Sequence, residues 1–188
     1  GGARWVQFRS KNLSGEELLK EAIEVQKVCL EYNATLIIND NVELAQQIKA
    51  DGVHLGQEDM SPLKAREILG EEFLIGATAN NYGDVTRVSS QPIDYIGLGP
   101  YRFTKTKRKL SPVLGLEIYS LLMEKCMEDN IMIPIIAIGG IEVQDVPLLI
   151  QTGVYGIAVS GGINSSKNKQ EKTTQFVEQF QFFNYEVV

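Results

Sequence analysis

Short apolar runs recur along the chain, and most close on Gly, Asn, Asp or Thr. They are RWVQFR (4–9), TLIIND (35–40), GVHLG (52–56), FLIGATA (73–79), YIGLGP (95–100), IPIIAIGG (133–140) and GIAVSGG (156–162). Most are unbroken stretches of Ile, Val and Leu rather than alternating ones. That pattern predicts strands covered on both faces within a parallel sheet. Between them lie segments of helical period. In SGEELLKEAIEVQKVCLEY the residues Leu18, Leu19, Ala22, Ile23, Val28 and Cys29 share one stripe. Ser14 followed by Glu17 predicts a capping box at its start. NVELAQQIKA, SPLKAREIL, YGDVTRVSS, GLEIYSLLMEKCME and EVQDVPLLIQTG repeat the rhythm. Ser61-Pro62 predicts a cap followed by a first-turn proline, and Gly153 a helix end.

The alternation of strand and helix is unbroken, with no linker or shift in composition. It predicts a single α/β domain over residues 1–188 with a parallel sheet. Two architectures fit, an open doubly wound sheet and a (β/α)8 TIM barrel. Seven strands are counted, and the first starts at Arg4. A barrel would then lack its first strand and helix here, and the natural protein is expected to carry about 15–30 further residues upstream.

Composition narrows the partners. At 188 residues the chain can bury a substantial core. Its net charge of −6 argues against a general nucleic-acid or membrane-surface role. No apolar run is long enough to span a bilayer. Cys29 and Cys126 form neither a disulfide framework nor a zinc pattern; buried thiols and a cytoplasmic location are expected. Against this acidic background GPYRFTKTKRK (99–109) stands out, with no carboxylate before Glu117.

An α/β barrel builds its active site at the carboxyl ends of its strands. Those ends carry Gln7, Arg9 and Lys11; Asn39 and Asp40; Gln57, Glu58 and Asp59; Thr78 and Asn80; Thr104, Thr106 and Lys107; Gly139-Gly140; and Ser160-Gly161-Gly162. Arg9, Lys11 and Lys107 supply positive charge for phosphate oxygens. Asp40 and Asp59 can hold Mg²⁺ while leaving coordination sites to substrate phosphates. Thr104 and Thr106 add hydroxyls, and the glycines allow backbone N–H groups to approach a second phosphate. Plainer roles compete. Asp40 can cap the helix starting at Asn41, Asp59 the helix near Ser61, and Gly139-Gly140 can be only a turn. Lys105, Arg108 and Lys109 are expected to be solvated, and His54 to sit in the sheet wall. Trp5, Met60, Met123, Met127 and Met132 are expected to pack.

Taken together, VQFRSKNLS, IINDNVELAQQIKADGVHLGQED, GPYRFTKTK, AIGGI and GIAVSGGI resemble the thiamine-phosphate synthase family, from the first residues to about Asn164. The resemblance implies a (β/α)8 barrel entered at its second strand. It implies a transferase of thiamine biosynthesis that joins hydroxymethylpyrimidine diphosphate to hydroxyethylthiazole phosphate, with Mg²⁺, through a dissociative loss of diphosphate. Carried over by motif, Gln7, Arg9, Lys11 and Asn39 contact the pyrimidine diphosphate, and Asp40 and Asp59 hold Mg²⁺. Thr78 stands where serine is usual and contacts the diphosphate, as does Lys107; with Arg9 these two form the expected catalytic set. Thr104 and Thr106 bind the thiazole substrate, and Gly140 offers its N–H to the thiazole phosphate, with Ser160 and Gly161 beside it.

Two departures matter. SGGI replaces the usual Ser-Ala-Ile, which moves the Ser160 hydroxyl by one position. Asn80 replaces a common histidine that is also the expected catalytic residue of the related thiazole tautomerases, which favours the synthase over a tautomerase-like relative. A non-catalytic phosphate-ligand binder on the same barrel is the alternative from another class. The partners expected are the two small-molecule substrates and, by resemblance, a second copy of the chain in a homodimer.

Overall fold

A computed structural model describes residues 1–103 and 112–184. The strands are β1 (Trp5–Phe8), β2 (Thr35–Asn39), β3 (Gly52–Leu55), β4 (Leu74–Ala79), β5 (Tyr95–Leu98), β6 (Ile135–Ile138) and β7 (Gly156–Ala158). The helices are α1 (Gly15–Glu31), α2 (Val42–Ile48), α3 (Pro62–Leu69), α4 (Tyr82–Ser89), α5 (Gly115–Glu128), α6 (Val146–Gln151), α7 (Gly161–Asn164) and α8 (Lys169–Asn184), with a 3₁₀ turn at Val143–Asp145. The sheet order is β1-β2-β3-β4-β5-β6-β7, so every strand lies beside its neighbour in sequence. A doubly wound sheet must reverse its strand order at a switch point. None occurs among the described residues, and the fold is α/β of the barrel class, with seven strands described.

The chain forms two compact units, one of residues 3–77 and 91–94, the other of residues 1–2, 78–90 and 95–188. In the first, Leu36, Ile37 and Ile38 of β2 are all buried, as a strand covered on both faces requires. Leu36 and Ile38 share a core cluster with Ala22 and Cys29 of α1 and Val53 of β3. Burial raises the Cys29 thiol pKa, and the cysteine is inert packing.

Strand register in this unit is set by a device used twice. Asp51, just ahead of β3, donates its N–H to the Leu36 carbonyl (3.0 Å) and accepts the Leu36 N–H on Oδ2 (2.6 Å). Asp94, just ahead of β5, does the same to Ile75 of β4, at 2.8 and 2.7 Å. Arg66 of α3 then clamps Asp94 (2.7 Å) while donating to the carbonyls of Gly70 (2.9 Å) and Phe73 (2.6 Å).

In the second unit Tyr119 of α5 is fully buried. Its hydroxyl donates to the Leu98 carbonyl at the end of β5 and accepts the Ile138 N–H at the end of β6 (3.4 Å). Among the described residues no helix is long and apolar enough to cross a membrane.

Several local expectations are corrected. Ser14 precedes α1 in extended backbone but its hydroxyl makes no capping hydrogen bond, and the chain enters the helix through Gly15 in left-handed backbone (φ 56°). The last two strands stop early. Gly139 (φ 95°) and Gly140 (φ 70°) turn the chain out of β6, and Ser160 and Gly161 belong to the start of α7. Met127 and Met132 are exposed rather than packed, and Trp5 is half exposed. Helix α8 has no counterpart in the expected elements. It packs on α6 and α7, and its Phe176 is buried.

Replacing Asp51 by Ala leaves the buried Leu36 N–H without its acceptor. The expected loss is about 1–3 kcal/mol, read as a lower urea midpoint at unchanged slope; an unmoved midpoint refutes the register role. The second prediction concerns alkali. Burial pushes the Tyr119 hydroxyl well above the usual tyrosine range, so the native state holds it neutral. Its contribution is intact below about pH 10, where a free tyrosine ionises, and falls above it by up to about 1.4 kcal/mol per pH unit. Tyr119→Phe is expected to flatten the alkaline limb of a stability–pH profile. A limb of identical slope contradicts this.

Candidate functional site

In the first unit the expected residues gather at the ends of β1, β2 and β3. The parallel register pairs Gln7 with Ile37, and the Gln7 amide reaches forward to donate to Asn39 Oδ1 (2.7 Å). Arg9 and Lys11 follow in the exposed segment after β1. Pairing of β2 with β3 ends at Asn39 and His54, and one further bond, from the Asp40 N–H to the His54 carbonyl (2.9 Å), carries it past the strand end. His54 is buried in the wall, as expected.

Asp40 sits in left-handed backbone (φ 65°), uncommon for a residue with a side chain. Such strain collects at functional positions. The helix that follows is capped by its neighbour, since Asn41 Oδ1 accepts the Leu44 N–H (2.9 Å). Likewise Ser61 Oγ, not Asp59, caps α3 by accepting the Lys64 N–H (3.3 Å). Asp59 closes the turn after β3 instead, with Oδ2 on the Gly56 N–H (2.6 Å). Both carboxylates are therefore relieved of capping, and both are exposed. Among the described residues no group of three or more His, Cys, Asp or Glu side chains is placed to hold a metal ion. Two hard carboxylates at adjacent strand ends are oxygen donors of the type that Mg²⁺ takes.

In the second unit Thr78 is buried in β4. Asn80 is anchored at both ends. Its N–H donates to Asp84 Oδ2 (3.0 Å) and its amide donates to the Gly99 carbonyl, so it ties the end of β4 to the end of β5. A carboxamide so held has no titratable group for proton transfer.

The Gly139-Gly140 corner is gripped by Arg102. The Tyr101 N–H donates to the Ile138 carbonyl and the Arg102 N–H to the Gly139 carbonyl, both at 2.8 Å. Arg102 Nη1 donates to the Gly140 carbonyl (3.1 Å). The guanidinium forks onto buried Asp145 at 2.8 and 2.9 Å, with Glu142 at 3.9 Å. Bonding to Asp145 raises the Arg102 pKa further and keeps the group charged. Sequence reasoning missed this pair. Arg102 looked like one more cation in a basic run, and no local spacing links it to Asp145.

Ser160 and Gly161 lie exposed where α7 begins, and Ser160 Oγ accepts from the Asn164 amide (3.4 Å). Thr104, Thr106 and Lys107 lie outside the described residues.

Comparison with known proteins adds the family. The sequence profile of the thiamine monophosphate synthase family matches residues 1–163. Thiamine-phosphate synthase of Phocaeicola vulgatus is 49% identical over 177 residues, spanning 94% of this chain and 85% of that protein. The Flavobacterium psychrophilum enzyme of the same name is 49% identical over 174 residues, spanning 93% of this chain and 84% of its own length. Among solved structures, thiamine phosphate pyrophosphorylase from Pyrococcus furiosus superposes with a TM-score of 0.87 at 30% identity, over 97% of this chain and 85% of that one. The chain belongs to the thiamine monophosphate synthase family.

Proposed function

We propose that this chain is a transferase that joins hydroxymethylpyrimidine diphosphate to hydroxyethylthiazole phosphate, giving thiamine phosphate and diphosphate. The observation that carries this is the family match over residues 1–163, within which the motif residues fall at or just beyond strand ends.

The chemistry follows from charge. When the bond to diphosphate breaks, negative charge grows on the leaving oxygens, and fixed cations lower that barrier by stabilising the transition state. Arg9 and Lys11, beyond β1, would neutralise the diphosphate, with Gln7 and Asn39 positioning the pyrimidine portion. Thr78 would add a hydroxyl donor and Lys107 a further cation. Asp40 and Asp59 would hold Mg²⁺, which when bound supplies positive charge to phosphate oxygens. In the other unit Gly140 would offer its N–H to the thiazole phosphate, with Ser160 and Gly161 beside it, and Thr104 and Thr106 would contact the ring. The thiazole nitrogen is itself the nucleophile, so no general base is required of the protein. Asn80, anchored and not titratable, would leave a tautomerase-like relative without its acid–base group.

The direct test supplies both substrates with Mg²⁺ and follows diphosphate. Release is expected only when all three are present, and none above background refutes the proposal. Asp40→Asn removes the charge while keeping a side chain that tolerates left-handed backbone. It is expected to lower Mg²⁺-dependent turnover by about 10²–10³ with an unchanged melting curve. Full turnover would defeat the metal assignment. Lys107→Ala is expected to cost about 10²–10³ in kcat by loss of an electrostatic stabiliser; an unaltered kcat leaves that lysine without a catalytic part.

A further inference from the structure

We propose that Arg102 and Asp145 form a positioning pair that aims the backbone N–H groups of Gly140 and Ile141 at the phosphate of the thiazole substrate. The inference rests on the synthase function proposed above, and it assigns a role to two residues outside the expected site.

The geometry is that of two peptide planes. In a planar trans peptide the C=O and N–H point in opposite directions. The Gly139 carbonyl shares its plane with the Gly140 N–H, and the Gly140 carbonyl with the Ile141 N–H. Arg102 holds both carbonyls, the first by its own N–H (2.8 Å) and the second by Nη1 (3.1 Å). Both N–H groups are thereby turned away from Arg102, in the manner of paired amides that receive an anion. Among the described residues neither donates to a protein acceptor.

The corner has no room to relax. Gly139 and Gly140 both adopt positive φ, 95° and 70°. A Cβ on Gly140 would lie 3.0 Å from both Cβ and the carbonyl oxygen of Arg102. Arg102 is in turn fixed by the fork onto Asp145 (2.8 and 2.9 Å), and Asp145 Oδ2 also accepts the Glu142 N–H (2.8 Å), which ties the brace to the turn after the glycines. The Arg102 guanidinium lies over the Tyr101 ring at 5.4 Å. Its charge is thus engaged by a buried carboxylate, and it serves as a brace rather than as a seat for the anion. Only a planar fork grips a carboxylate through two nitrogens while reaching a carbonyl; a lysine ammonium cannot match that arrangement.

The test is steady-state kinetics of Arg102→Lys and Asp145→Asn, each substrate varied in turn. The KM for the thiazole phosphate is expected to rise about ten- to a hundredfold. The KM for the pyrimidine diphosphate is expected to stay within about twofold of wild type, a split that general loosening of the fold would not give. Both constants rising together, or neither moving, overturns the positioning role. A wild type that releases no diphosphate defeats the synthase function and this inference with it. An active wild type with unsplit variants defeats this inference alone. A second measurement stands apart from turnover. In wild-type protein the Gly140 and Ile141 amide resonances are expected to shift on titration with the thiazole phosphate, and in folded Arg102→Lys the shifts are expected to shrink. Wild-type amides that do not move, or shifts that survive intact in the variant, overturn the proposal whether or not the other variant folds.

Discussion

A parallel strand can slide along its neighbour, and a slip of one residue turns every side chain to the opposite face. Two aspartates prevent this. Asp51 takes both backbone groups of Leu36, and Asp94 both backbone groups of Ile75. Each sits one residue ahead of a strand and closes a two-point contact with the strand before it. The carboxylates lie at the strand starts, at the opposite end of the strands from the site residues. The effect of Asp51 arrives at the other end as register, which sets Asn39 against His54.

Beyond the last register bond the chain must leave the sheet, and the residues that do so are unusual. Asp40 turns out of β2 in left-handed backbone, and Gly139 and Gly140 turn out of β6 likewise. At Asp40 the turn leaves a carboxylate exposed while Asn41 takes over the capping of α2. At Gly139-Gly140 it presents main-chain groups instead of side chains. Under the proposed function, Mg²⁺ at the first corner and phosphate at the second would call on different chemistry, carboxylate oxygen in one case and amide hydrogen in the other.

Charge along the chain was a poor guide to charge at the site. The basic stretch that begins at Arg102 looks uniform in sequence, yet Arg102 is paired with buried Asp145 and braces a corner, while Arg9 stands exposed beyond β1. The difference between a structural and an available cation lies in the partner that folding brings to it.

The sequence by itself determined the strands, because an unbroken apolar run is the local mark of a strand buried on two faces, and it determined most helices, because their stripes are written within one segment. It also carried the strand-end motif residues that mark the family. Tertiary structure alone decided where β6 and β7 stop, since positive φ at the glycines and the start of α7 depend on what they turn toward. Helix α8 was legible in the chain, since Phe176, Val177, Phe180 and Phe183 fall at helical spacing, but folding alone buries Phe176. Tertiary structure alone joined Arg102 to Asp145 and Asp51 to Leu36, because a hydrogen bond between distant positions leaves no periodic trace in the chain that forms it.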